Sequence, residues 1–152
     1  MKIALALISL FAAHYCSADV VRPQSSDLMG RWKVDITFEN ESTRSMSLDA
    51  EDSGKGSLML EGARSNWDEP AKPSQAKLTV GDNKRVTILA PVEFPIGNVG
   101  RETGVLSFKG VFKSESKITG DIALYPMDQD PMDPKATPTK TGKFEATRVR
   151  GN

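Results

Sequence analysis

From residue 30 onward apolar side chains recur at every second position in eight short stretches, and no window of ten or more residues spaces them by three and four. Alternation with period two is what a β-strand with one buried and one wet face requires, and it excludes a helical fold. Trp32, Val34, Ile36 and Phe38 alternate with Arg31, Lys33, Asp35 and Thr37. The pattern returns at Met46 and Leu48, at Leu58 and Leu60, at Ala76, Leu78 and Val80, and at Val86, Ile88 and Ala90. It continues through Leu106, Phe108 and Phe112, through Ile118, Ile122 and Leu124, and closes with Phe144, Ala146 and Arg148.

Eight short strands in sequence predict an all-β, eight-stranded antiparallel up-and-down meander β-barrel, because closure removes the two exposed edges that invite aggregation. The connections differ in length. Residues 39–42, 49–56, 81–84 and 113–116 are short and polar, whereas 62–74, 91–104 and 126–141 are long and carry prolines that argue against regular pairing. In a meander alternate connections fall at the same end, so the three long segments are expected to crowd one rim, with the start of the first strand at the other, tighter end. An eight-stranded barrel holds packed side chains or one small ligand, which makes the long-loop rim the expected place of recognition.

Residues 1–18 read as a removable signal: Lys2 supplies a positive end, residues 3–13 an apolar run, and Cys16-Ser17-Ala18 small residues before Asp19. The run is too short to span a bilayer, so the protein is expected to be exported, periplasmic or secreted, without a transmembrane segment. Lipid anchoring through Cys16 is disfavoured by His14 and Tyr15 just before it. Processing would leave 134 residues, enough for one domain, with residues 19–29 as a flexible lead and 30–150 as the barrel. Cys16 and His14 are the chain's only cysteine and histidine, so the mature form would lack both. Nucleophile pairs and metal sites built on thiolate or imidazole are then excluded, and no cofactor is expected. Twenty basic residues balance twenty acidic ones, which gives no electrostatic footprint for nucleic acid. Export without structural cysteines suggests a bacterial source, and the Asn40-Glu41-Ser42 sequon matters only in a eukaryote.

Gly30-Arg31-Trp32 on the first strand, the eight-strand meander and Arg148 near the end of the last strand resemble the calycin superfamily of lipocalins, fatty-acid-binding proteins and avidins. The ending Gly142-Lys143-Phe144-Glu145-Ala146-Thr147-Arg148 is similar to the closing strand of small exported bacterial lipocalin-like proteins, a group of mostly unassigned function. The resemblance implies a lipocalin-like barrel in which Arg148 lies across the Trp32 ring and, with Gly30, closes the base. Strand parity independently puts Trp32 and Arg148 on the same inner face, where a guanidinium over an indole gains about 0.5–2 kcal/mol. The functional alternative makes Arg148 an internal anchor for a ligand carboxylate. Biotin binding of the avidin kind relies on several tryptophans, and only Trp32 and Trp67 exist here.

At the expected rim, Trp67, Phe94, Ile96 and Tyr125 are the candidate ligand-binding residues, since they come from three long segments and offer apolar area. The acidic run 125–133 lacks the Gly and Glu of a helix-loop-helix calcium loop, Asp133 and Thr139 standing in those places, and no metal site is expected. Asp49, Glu51 and Asp52 beside Gly54-Lys55-Gly56 read as a solvated turn. Outward charges such as Lys33, Asp35, Lys109, Asp121 and Glu145 suit cross-strand pairs better than catalysis, and no catalytic residue is expected. The leading reading is an exported carrier or sensor of a small, partly apolar ligand. The alternative is a protein-binding barrel resembling exported protease inhibitors that use an N-terminal segment as a plug. A third reading is a carboxylate-only enzyme. A cavity favours the first, a filled barrel with an ordered N-terminal arm the second, and facing buried carboxylates the third.

Overall fold

The computed structural model describes residues 25–61, 73–96 and 100–150. Eight strands follow in order: β1 (Gly30–Phe38), β2 (Thr43–Ala50), β3 (Lys55–Leu60), β4 (Ser74–Gly81), β5 (Arg85–Ile96), β6 (Gly100–Ser114), β7 (Lys117–Tyr125) and β8 (Lys140–Arg148). Each pairs antiparallel with the next, and β8 returns to β1 to give a closed up-and-down barrel. This is the all-β, eight-stranded up-and-down barrel expected from the alternation. The even-numbered residues of β1 are buried and the odd-numbered ones exposed without exception from Arg31 to Phe38. Trp32, Val34, Ile36, Met46, Leu48, Ile88, Leu106, Phe108, Ile118, Ile122 and Leu124 are each 1% exposed or less and form one continuous core.

Aromatic rings fill the lower barrel. Phe108 and Phe144 meet edge to face at 5.2 Å, and Trp32 meets Phe112 at 6.1 Å. Two glycines make room for this packing. A Cβ on Gly120 would stand 2.2 Å from the Lys109 carbonyl oxygen, and one on Gly110 would stand 2.7 Å from Cζ of Phe144. The β6–β7 pair therefore approaches closely here and leaves space for the Phe144 ring.

The expected irregular segment 91–104 is instead mostly strand. β5 runs on to Ile96 and β6 begins at Gly100, with Pro91 opposite Val105 and Pro95 opposite Arg101. Prolines are tolerated because pairing with β4 stops at Leu89, so beyond it, among the described residues, no strand on that side of β5 needs a donor. Pro91 and Pro95 also share strand parity, which puts both missing N–H groups on one side. Phe94 and Ile96 thus belong to a ribbon rather than a loop, and connection five shrinks to 97–99.

Within the segment 19–29 expected to be flexible, Ser25–Leu28 form a 3-10 turn and Leu28 is fully buried. A lone leucine carries no periodicity, so its place in the barrel base had no sequence signature. Residues 1–24, including the expected signal, lie outside the described residues. The loop 126–139 is built from successive turns: Asp130 and Asp133 accept from the Met132 and Lys135 amides at 2.9 Å, and Gln129 Oε1 accepts from the Thr137 amide. Its acidic side chains hold the loop's own backbone, and Pro131 is buried within it.

Candidate functional site

The two ends of the barrel differ. Even connections, with the start of β1 and the end of β8, lie at the tight end, and odd connections lie at the other. At the tight end the Trp32 indole donates to the Leu28 carbonyl at 2.7 Å, and the Arg148 guanidinium carbon stands 4.3 Å from the Trp32 ring centroid. The same guanidinium donates to the carbonyls of Glu115 at 3.0 Å, Asp27 and Met29. Three of its donor nitrogens thus bind main chain, which leaves it a closing role and little capacity to hold a ligand carboxylate. Gly30 has a φ of 115°, a conformation glycine reaches freely, and a Cβ there would press on Arg148 at 3.3 Å.

The other end carries charge at inward positions. Lys140, the first residue of β8, and Glu102 of β6 share the strand parity of the buried core, and their side chains meet at 2.5 Å across β7. They are partly buried, at 34% and 24% side-chain exposure, so the pair is less screened than those outside the barrel. The Lys140 ammonium also lies 5.9 Å from the centroid of the buried Phe38 ring. Beside them runs an open groove lined by Phe38, Asn40, Pro138, Thr139 and Lys140. Its wall is fixed by Thr139, whose N–H and hydroxyl both donate to the Leu124 carbonyl at 2.7 and 3.1 Å. On its other side Asn40 is held by Ser42, whose N–H and hydroxyl donate to its amide oxygen. The arrangement offers an aromatic floor, a cation and a carboxylate at one mouth.

Sequence reasoning did not find Lys140, Glu102 or Phe38 as site residues. The signal was a charged residue at core parity, but Glu102 and Lys140 were assigned to loops, where parity has no meaning. Of the expected rim residues, Tyr125 is the half-buried last residue of β7, opposite Val105, and sits at outward parity instead of in the loop. Phe94 stands opposite Glu102 in the register and Ile96 opposite Gly100; their side chains, like Trp67, lie outside the described residues.

Outside the barrel the charges expected to pair across strands do so in part, and Lys109 forms no ion pair among the described residues. Arg31 meets Asp49 at 2.8 Å, Lys33 meets Asp35 at 3.1 Å along the same strand, Lys117 meets Glu145 at 2.9 Å, and Lys143 meets Asp121. The hydroxyl of Ser45 donates to Asp35 at 2.6 Å and, with Lys33, holds that carboxyl below its ordinary value. The hydrogen bond and charge of Asp49 raise the Arg31 guanidinium above its own. Among the described residues no group of three or more His, Cys, Asp or Glu side chains is placed to hold a metal, and no helix is long and apolar enough to cross a membrane.

No protein-family model matches the chain, and no curated protein matches it. Among solved structures it is similar to EF1p2_mFAP2b bound to DFHBI, with 15% identity and a TM-score of 0.50 over 83% of this chain and 96% of that one. Two redesigned β-barrels also align. They are mFAP1 bound to DFHBI, at 12% identity and TM-score 0.49 over 82% of this chain and 97% of the other, and b11L5F_LGL, at 11% and 0.46 over 86% and 98%. At 15% identity the likeness to EF1p2_mFAP2b speaks to fold alone, and it agrees with the closed eight-stranded barrel traced by the strand pairing.

Proposed function

We propose that the protein is an exported, lipocalin-like barrel, related to the small bacterial group its last strand resembles, that binds a small, partly apolar molecule at its wide end and acts by binding without catalysis. The observation that carries this reading is the inward Lys140–Glu102 pair above Phe38: a charged pair at core parity costs desolvation that the fold alone does not require. The tight end is occupied by Leu28, Trp32 and Arg148, so the opposite rim is where a ligand has access. That EF1p2_mFAP2b holds DFHBI supports the capacity of such a fold to carry a bound compound. An ordered N-terminal arm over a filled core is the arrangement that favours the protein-binding alternative, and Leu28 is seated in this barrel's own base; the inward Lys140–Glu102 pair favours the small-molecule reading over it.

The test is a titration with the amphipathic fluorophore 1-anilinonaphthalene-8-sulfonate. Wild type is expected to enhance its emission, with Phe38→Ala and Lys140→Met each weakening the dye about fivefold and Asn83→Gly, in the tight-end turn, leaving it unchanged. Equal affinity in all four proteins would overturn the assignment to the wide rim. Amino-terminal sequencing of protein recovered outside the cytoplasm should begin at Asp19; a start at Met1 would refute the processing step.

A further inference from the structure

The fold sorts the surface charges in a way the linear sequence hides. The wall made by β1, β2, β7 and β8 neutralises its cations: Arg31, Lys33, Lys117 and Lys143 each hold a carboxylate. On the wall made by β3, β4, β5 and the outer face of β6, the exposed Lys55, Lys77, Arg85, Lys109 and Lys113 form no ion pair among the described residues. The one carboxylate facing Lys109 in the register, Asp121, is engaged by Lys143. Lys55 and Lys77 moreover stand directly opposite each other across β3 and β4, an arrangement of like charges that destabilises a sheet. A barrel selected only for stability has no reason to keep that pair when the opposite wall pairs its charges so consistently.

We infer that this wall is a docking surface for an acidic polysaccharide. Four neighbouring strands at about 4.8 Å spacing spread the cations over about 14 Å, wider than one phosphate or carboxylate and suited to a chain bearing several. An open groove runs between Arg85, Lys109 and Lys113, floored by Thr87, Val111 and Thr119 and bordered by the Lys143-paired Asp121, and gives such a chain a track. Thr79 and Gln75, exposed at outward positions of β4, add hydrogen-bonding groups for sugar hydroxyls. The described outward positions of these strands carry no aromatic residue, so the stacking platform that single-stranded nucleic acid uses is missing. They also lack the broad apolar face with which a protein embeds in a bilayer. Recognition is therefore electrostatic, and independent of the rim site.

The probe is heparin, with binding measured at low and rising salt for the full mature chain. Wild type is expected to bind, with affinity falling steeply as salt increases. The double variant Lys77→Gln/Lys109→Gln should weaken binding about tenfold or more, and Lys33→Gln/Lys143→Gln on the other wall should leave it unchanged. Far-UV circular dichroism checks that all three proteins are folded, as expected for exposed substitutions. Failure of wild type to bind heparin, equal losses from the two double variants, or equal or tighter binding to anionic vesicles or a single-stranded oligonucleotide would each overturn the inference. Dye binding at the rim should be the same in all three proteins, so this result and the rim reading stand or fall separately.

Discussion

Replacing Trp32 by alanine removes the side chain on which the tight end converges. The indole is 0% exposed, packs against Phe112 at 6.1 Å, lies under the Arg148 guanidinium at 4.3 Å and donates to the Leu28 carbonyl at 2.7 Å. Burying about 200 Å2 of aromatic surface at about 25 cal/mol per Å2 is worth about 5 kcal/mol, an upper figure because the unfolded chain hides part of that area. Measured losses for large aromatic-to-alanine changes in cores run at about 3–5 kcal/mol, and that is the expected cost. Trp32→Phe separates packing from hydrogen bonding: it keeps a ring beneath Arg148 but leaves the buried Leu28 carbonyl without its donor, for about 1–3 kcal/mol. Urea denaturation followed by far-UV circular dichroism reads both values. A loss below about 1 kcal/mol for Trp32→Ala, or equal losses for both variants, would refute the reasoning.

Three further outcomes are expected. Gly120→Ala should destabilise by about 2 kcal/mol or more, because its Cβ would fall 2.2 Å from the Lys109 carbonyl oxygen and 2.4 Å from Gly110 Cα, both backbone atoms; thermal unfolding within a degree of wild type would contradict this. Ser107→Ala should stabilise by about 1 kcal/mol, since the Ser107 hydroxyl is buried with no hydrogen-bond partner among the described residues, and a lower denaturation midpoint would show that the hydroxyl has a use. Asp35 has a lowered carboxyl value, so its contribution is complete above the ordinary value of 3.8 and is lost as pH falls through the lower folded one; Asp35→Asn should flatten that part of the stability profile, and an unchanged acid slope would count against it.

Strand parity carried most of the architecture, because a half-buried sheet forces polar and apolar residues to alternate, and β1 shows that alternation almost without a break. It failed where local chemistry and tertiary context disagree. Pro91 and Pro95 look like strand breakers until the missing β4 partner beyond Leu89 makes them compatible with pairing. Misplacing those strand ends also hid the rim site, since Glu102 and Lys140 become informative only once they are known to sit at core parity on β6 and β8. The basic wall was invisible for a different reason: the balanced total charge averages over cations that are far apart in sequence, and only the barrel order brings Lys55, Lys77 and Lys109 to one side.

The most direct examination of ligand access is an amide shift map of the isotopically labelled protein titrated with 1-anilinonaphthalene-8-sulfonate. Binding at the wide end predicts that Phe38, Asn40, Glu102, Thr139 and Lys140 shift together and saturate with one affinity, while the turn Asp82–Lys84 and the base around Leu28 and Trp32 stay in place. Saturable shifts concentrated at Leu28, Trp32 and Arg148, with the rim unmoved, would contradict it.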